Sequence, residues 1–212
     1  MFIFFWGGSP VHTHLERKLP DDVMGREMFN KILNMSHELK NVVVLPGYEL
    51  ELSGRLKRGS DIWFNTPLRP LEASGTSGMS ANMNGALHFS IYDGWTVEDT
   101  FSGINGYTVE YPGLDDEIPW EERHWKDHDC IMNILENQII PTYYHNKLEW
   151  ARLMRQAIRT AEAYFNSDRM VIEYYNRIYK PIAHGEASKE MTHEIGQVQS
   201  PNQDAWNYSN IK

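Results

Sequence analysis

A single cysteine, Cys130, stands in the 212 residues, so the chain can build neither an internal disulfide framework nor a zinc ribbon. That usage suits a reducing compartment, and the cytoplasm is the expected location. Long apolar runs are missing too: none approaches the roughly 20 residues of a membrane span, so no membrane partner is expected. Basic residues are in the minority, with 20 Lys and Arg against 29 Asp and Glu, a net charge of −9. A nucleic-acid or anionic-membrane surface is therefore disfavoured. The opening run Met1–Trp6 lacks the basic flank of a signal peptide and meets Gly7-Gly8-Ser9-Pro10 directly, so it reads as a buried strand. Lysine is wholly absent between Lys57 and Lys126.

What is present is ordinary globular composition, 41% hydrophobic and 23% charged, with an aromatic share of 12% that suits a rich core or a carbohydrate-facing cleft. Strand and helix signals alternate. Phe2–Phe5 reads as a strand, 22–40 as a helix, Val42–Leu45 as a strand stopped by Pro46-Gly47, and 49–57 as a helix with Gly59 as its C-cap. Ile62–Phe64 and Leu87–Ile91 are two further strands. This alternation predicts an α/β fold, a Rossmann-like parallel sheet with flanking helices. Residues 94–129 look turn-rich and acidic. Beyond them, Ala151, Met154, Ile158, Ala161 and Phe165 share one helix face, and Ser167 is placed to cap another helix carrying Val171, Tyr174 and Ile178. The expected organisation is one domain over 1–183 and a polar, disordered tail over 184–212.

The segment between two of these strands, "NTPLRPLEASGTSGMSANMNGAL", carries the chemistry. In a parallel sheet the loop after Ile62–Phe64 lies at the carboxyl end of the strand, where open α/β folds bind ligands. Ser74-Gly75-Thr76-Ser77-Gly78 would present successive N–H groups and hydroxyls at a helix start, a setting for phosphate. Glu72 would repel an anion, and its carboxylate is better suited to sugar hydroxyls. The pattern is neither a Walker A loop nor GxGxxG. On chemistry alone, a ligand loop and a plain helix N-cap with flexible glycines both fit.

"DIWFNTPLRPLEASGTSGM", with "NGALHFSIYDGW" and "NGY" after it, resembles the C-terminal domain of the α-glucan (glycogen, starch, maltodextrin) phosphorylases. The flanks "VVVLPGYELELSGRLKRGSDIWFNTP" and "RMVIEYYNRIYKP" are similar to the same family, so the resemblance runs from about Phe2 to Pro181. It implies part of the C-terminal domain of a GT-B glycosyltransferase. It also implies phosphorolysis of α-1,4-glucan to glucose 1-phosphate, with pyridoxal 5′-phosphate acting through its own phosphate. Carried over by position, Glu72, Ala73, Ser74 and Gly75 would hold the glucosyl unit, and Thr76 and Ser77 the cofactor phosphate.

The sequence departs from the family where it matters most. The lysine that forms the cofactor's Schiff base should follow "GTSGM", and here that position is Ser80, whose hydroxyl cannot form an imine. Where the family reads Gly-Lys-Ala, this chain has Gly8-Ser9-Pro10. The family's N-terminal domain and phosphate-handling basic residues have no counterpart, so no catalytic residue is assigned and activity of this chain alone is not expected. Three readings stay open. The chain is part of a phosphorylase that works with a missing N-terminal part or partner chain, a nucleotide-sugar-dependent glucosyltransferase without pyridoxal phosphate, or a non-catalytic glucan-binding module. The implied partners are α-1,4-glucan and phosphate or glucose 1-phosphate.

Other residues carry weaker signals. His124 and His128 lie four apart, as metal ligands on a helix can, without a third ligand spaced to them, so no metal is expected. His12 and His14 read as solvated. His88 is either a sugar-site group or a hydrogen-bonded core histidine. Cys130 reads as core. Trp95 and Tyr107 could stack on a glucan or pack inside.

Overall fold

The computed structural model describes residues 23–45, 49–67, 69, 75–114 and 118–183. The chain divides into two compact units, 1–56 and 57–212, with the boundary inside a helix. In the first unit, α1 spans Val23–Glu38, with Phe29 buried. The second helix, α2, spans Leu50–Gly59. Gly59 is thus the last helical residue rather than a residue beyond the helix. Val42–Leu45, expected as a strand, is not one. A β-branched run gains strand character only when its amides find a ladder partner, and Val43 is instead exposed. The strand expected at Phe2–Phe5 and the tail expected over 184–212 lie outside the described residues.

The second unit is an α/β layer. Strands β1 (Ile62–Asn65), β2 (Leu87–Ile91) and β3 (Gly106–Val109) form a parallel sheet in that order. The register sets Trp63 beside His88, His88 beside Gly106, and Phe64, Phe89 and Tyr107 in one row across the sheet. Ring centroids in that row are 4.7 and 6.4 Å apart, so aromatic contact pins the pairing of all three strands. Every residue of β2 is buried, as a central parallel strand requires.

Side-chain alternation then separates two faces. Leu87, Phe89 and Ile91 join Tyr107, Val109, Ile134, Ile139, Trp150, Leu153 and Ala157 in the main core. Trp63 and His88 lie on the opposite set of positions, beside α3 (Ser77–Met83), the short helix between β1 and β2. After β2 come α4 (Thr96–Asp99) and then β3. The long helix α5 (Trp120–Ile134) runs through a π-helical turn (Leu135–Ile139) into α6 (Ile140–His145). Two more helices follow, α7 (Lys147–Tyr164) and α8 (Ser167–Tyr174), the latter extended by a π turn and the short α9 (Lys180–Ala183).

Two expectations about this half need correction. The stretch 94–129 is not simply turns: it contains α4, β3 and the first ten residues of α5. β3 escaped because "GYTV" is four residues long and follows a glycine-rich loop, while its polar Thr108 is buried among neighbours. α8 is capped not by Ser167 but by Asn166, whose side chain accepts the Arg169 N–H at 2.7 Å.

Candidate functional site

The described end of the glycine- and serine-rich segment, Gly75–Ser77, leads into α3 in the connection that follows β1, on the carboxyl side of that strand. Glu72, Ala73 and Ser74 lie outside the described residues; Gly75 and Thr76 are exposed, and Ser77 and Ser80 are half-buried. Thr76 already has helical torsions, φ −70° and ψ −3°, and makes no side-chain capping bond. The plain N-cap reading therefore fails for Thr76: an N-cap has extended torsions and turns its oxygen back to the helix amides.

Two indoles hold the segment instead. The Trp63 N–H, from β1, donates to Ser77 Oγ at 3.2 Å, and the Trp95 N–H, from the turn after β2, donates to the Gly75 carbonyl at 3.1 Å. Arg69, in the same connection, donates to the Tyr92 carbonyl at the end of β2. Lys57 Nζ lies 5.8 Å from the centre of the Trp63 ring, on the indole that binds Ser77. The loop is thus tied to the ends of two adjacent strands by donors that need an acceptor once buried.

Under α3 lies His88, fully buried, its ring stacked on Trp95 with centroids 4.6 Å apart and planes at 24°. Its backbone N–H donates to Asn82 Oδ1 at 3.0 Å, but neither ring nitrogen has a hydrogen-bond partner. Burial pushes the imidazole down to about 3 from its ordinary 6.5, so the ring is neutral. Of the two sequence readings, the core histidine holds, without the hydrogen bond expected of it. Gly78 completes the contact. A Cβ there would lie 2.5 Å from His88 Nε2 and 2.7 Å from Trp95 Cζ2, so only glycine lets the first turn of α3 rest on these rings. Trp95 in turn meets Phe165 edge-on at 5.2 Å.

Ser80 sits one turn into α3. Its hydroxyl donates to the Ser77 carbonyl at 3.1 Å and lies 3.3 Å from that of Thr76, bonding back into its own helix. Gly85, with φ +86°, lets the chain leave α3 and turn into β2.

The remaining candidates take other roles. Trp95 and Tyr107 are both buried, so neither offers a stacking face to a glucan. His124 and His128 lie on α5 with the Trp125 ring between them, 6.1 and 5.8 Å from the two imidazoles. Among the described residues no cluster of three or more His, Cys, Asp or Glu side chains could hold a metal. Cys130 Sγ points to the Glu110 carbonyl at 3.7 Å, and burial raises its thiol above the ordinary value, so it is no activated nucleophile. Among the described residues no helix is long and apolar enough to cross a membrane. His12 and His14 lie outside the described residues. Sequence reasoning missed the indole anchors: it treated Trp63 as strand filler and weighed only the face of Trp95, whereas the donor N–H was the informative group.

Comparison with known proteins gives consistent relatives. The chain is 40% identical over 163 residues to a maltodextrin phosphorylase of Thermococcus litoralis, covering 76% of this chain and 19% of that protein. It is 37% identical over 171 residues to a glycogen phosphorylase of Aquifex aeolicus, covering 77% and 24%. A glycogen phosphorylase of Mycobacterium tuberculosis is 30% identical over 172 residues, covering 77% and 20%. The chain thus spans about a fifth to a quarter of the length of these relatives. No family model matches.

Proposed function

Since the chain is related in sequence to the α-glucan phosphorylases, we propose that it forms the portion of a phosphorylase-like glucosyltransferase that receives a glucosyl unit and a phosphate group. In this reading it is the C-terminal part of a GT-B enzyme. Glu72, Ala73, Ser74 and Gly75 bind the sugar hydroxyls, and Thr76 and Ser77 face the phosphate. The observation that carries it is the anchored Gly75–Ser77 segment, held by two indole donors at the carboxyl edge of a parallel sheet. Ligands of open α/β sheets collect at that edge, and the loop sequence is the one the resemblance rests on.

Pyridoxal phosphate, the family's cofactor, does not fit here as a covalently held group. The position of its lysine is Ser80, whose hydroxyl is bonded back to the α3 carbonyls, and a hydroxyl cannot form an imine. No step is therefore derived through it. What these residues can do is bind and orient: exposed Gly75 and Thr76 leave backbone N–H groups open to a ligand, and the indoles fix where those groups stand. The chemistry of bond cleavage is assigned to groups outside this portion. α-1,4-Glucan with phosphate or glucose 1-phosphate is the substrate class, and the cytoplasm the setting.

Calorimetric titration of the purified chain with maltoheptaose tests the sugar site. Saturable binding is expected, weakened at least about tenfold by Glu72→Ala, the loss expected when a charge-assisted hydroxyl–carboxylate bond goes. Equal affinity in the variant would remove Glu72 from the site, and no binding by the wild-type chain would remove the glucan.

A further inference from the structure

We infer that Trp95 is the positioning residue of the Gly75–Ser77 loop, setting through one hydrogen bond the direction in which the Gly75–Thr76 peptide presents its N–H. The bond runs from the indole N–H to the Gly75 carbonyl, 3.1 Å. A peptide unit is planar and trans, so its carbonyl and its N–H point to opposite sides. With the Gly75 carbonyl held toward buried Trp95, the Thr76 N–H is turned away from the core, toward the exposed side of the loop. Gly75 itself is uncrowded: a Cβ on it would meet nothing within 4 Å among the described residues, so a ligand can approach the backbone closely at this residue.

The indole can act as a fixed post because everything around it is fixed. It is 6% exposed, stacked on the His88 ring and met edge-on by Phe165. His88 is itself caught between Trp95 and the bare backbone of Gly78. Both of its buried ring nitrogens lack partners, so the imidazole serves as a flat support and not as a hydrogen-bonding hub. Trp63 holds the next residue, Ser77, by its hydroxyl, which leaves the orientation of the Gly75–Thr76 peptide to Trp95 alone among the described contacts. The role of the aimed N–H rests on the glucosyl-and-phosphate reading of this loop; the aiming itself does not.

Trp95→Phe keeps a ring against His88 and Phe165 and deletes the donor together with some ring volume. Amide hydrogen exchange of the full chain should show the Ser80 amide, bonded to the Thr76 carbonyl at 3.3 Å, exchanging about five- to tenfold faster in the variant. Amides of β2 should be unmoved and the melting temperature should stay within about 4 °C. Maltoheptaose affinity should fall by a similar factor, which a purely structural role at constant stability would not produce. An unchanged Ser80 exchange rate overturns the positioning role whatever the glucan does. Faster exchange without glucan binding by the wild type upholds it and overturns the sugar reading. Should the variant not fold, the wild-type indole N–H resonance of Trp95 decides: slow exchange with solvent upholds the bond, and exchange as fast as that of a free indole removes it.

Discussion

At the scale of single residues, two ionisable groups lie where water does not reach, His88 under α3 and Asp99 at the end of α4. His88 and Asp99 are both buried with side-chain atoms lacking partners, and burial moves them in opposite senses. His88 falls to about 3 from 6.5, whereas Asp99 rises to about 7 from 3.8, through desolvation first and the Glu98 charge second. Between pH 3.8 and 6.5 the unfolded chain binds a proton at the histidine that the folded chain refuses, so this group makes stability rise with pH. Over the same window the folded chain keeps a proton on Asp99 that the unfolded chain releases, so stability falls with pH. Each slope is about 1.4 kcal/mol per pH unit, and they offset each other. Urea unfolding should therefore give a nearly flat profile for these two groups in the wild type. Asp99→Asn should tilt it upward with pH, and His88→Asn downward. A profile unchanged by either substitution would contradict the burial of both. Gly78→Ala drives a methyl into the stacked rings and should cost about 2–3 kcal/mol. Much of that should be recovered when His88→Ala is added, a coupling that separates overlap with the ring from helix propensity. Ser80 offers a gain-of-contact test. Ser80→Lys should produce an imine absorbance band on titration with pyridoxal phosphate that the wild type lacks; a band in neither protein would mean that the pocket needs groups outside this portion.

At the scale of elements, helices α7 and α8 share a cap chemistry and differ in what the cap supports. Asn146 accepts the Glu149 N–H at 3.1 Å, and Asn166 accepts that of Arg169. α7 then buries Trp150, Leu153, Ala157 and Ala161, while α8 buries nothing. Asn146→Ala should lower global unfolding stability by about 1 kcal/mol. Asn166→Ala should leave the midpoint in place and speed proteolysis within 167–183, because fraying there exposes little that the core depends on. The same difference explains what the sequence made legible. Strand β2 was read correctly; helix α7 was foreseen, but it buries Trp150, Leu153, Ala157 and Ala161, and of the face expected from the sequence only Ala161 is buried while Ala151 is exposed. The run Val42–Leu45 has the composition of a strand without a ladder partner among the described residues, and β3 has the partner without the composition. The loop was recognisable from its small residues and its resemblance. Its anchors were not, because a sequence pattern reports which residues are apolar and not where an indole N–H will find its acceptor.

At the scale of the whole molecule, the question is whether these 212 residues suffice for chemistry. Phosphorolysis needs an anion brought against an anomeric carbon and a proton delivered to the departing sugar oxygen, which calls for cations and an acid near the loop. Around Gly75–Ser77 the described groups are hydroxyls, backbone amides and indoles. Lys57 lies over the Trp63 ring and Arg69 is engaged with the Tyr92 carbonyl. The net charge of −9 also works against a doubly charged nucleotide-sugar, which depends on basic side chains to offset its diphosphate. The chain should therefore release no glucose 1-phosphate above the buffer rate from maltoheptaose and phosphate. It should release no nucleoside diphosphate from UDP-glucose or ADP-glucose. Ser80→Lys, even if it gains the imine band, should stay equally silent, because an imine alone supplies neither the anion-holding cations nor the acid that phosphorolysis needs. Glucose 1-phosphate from the wild type would mean that the loop carries catalytic groups beyond those described, and nucleoside diphosphate release would move the protein to a different donor class. With all three silent and maltoheptaose still bound, this chain holds the sugar in a site whose reacting groups it does not itself supply.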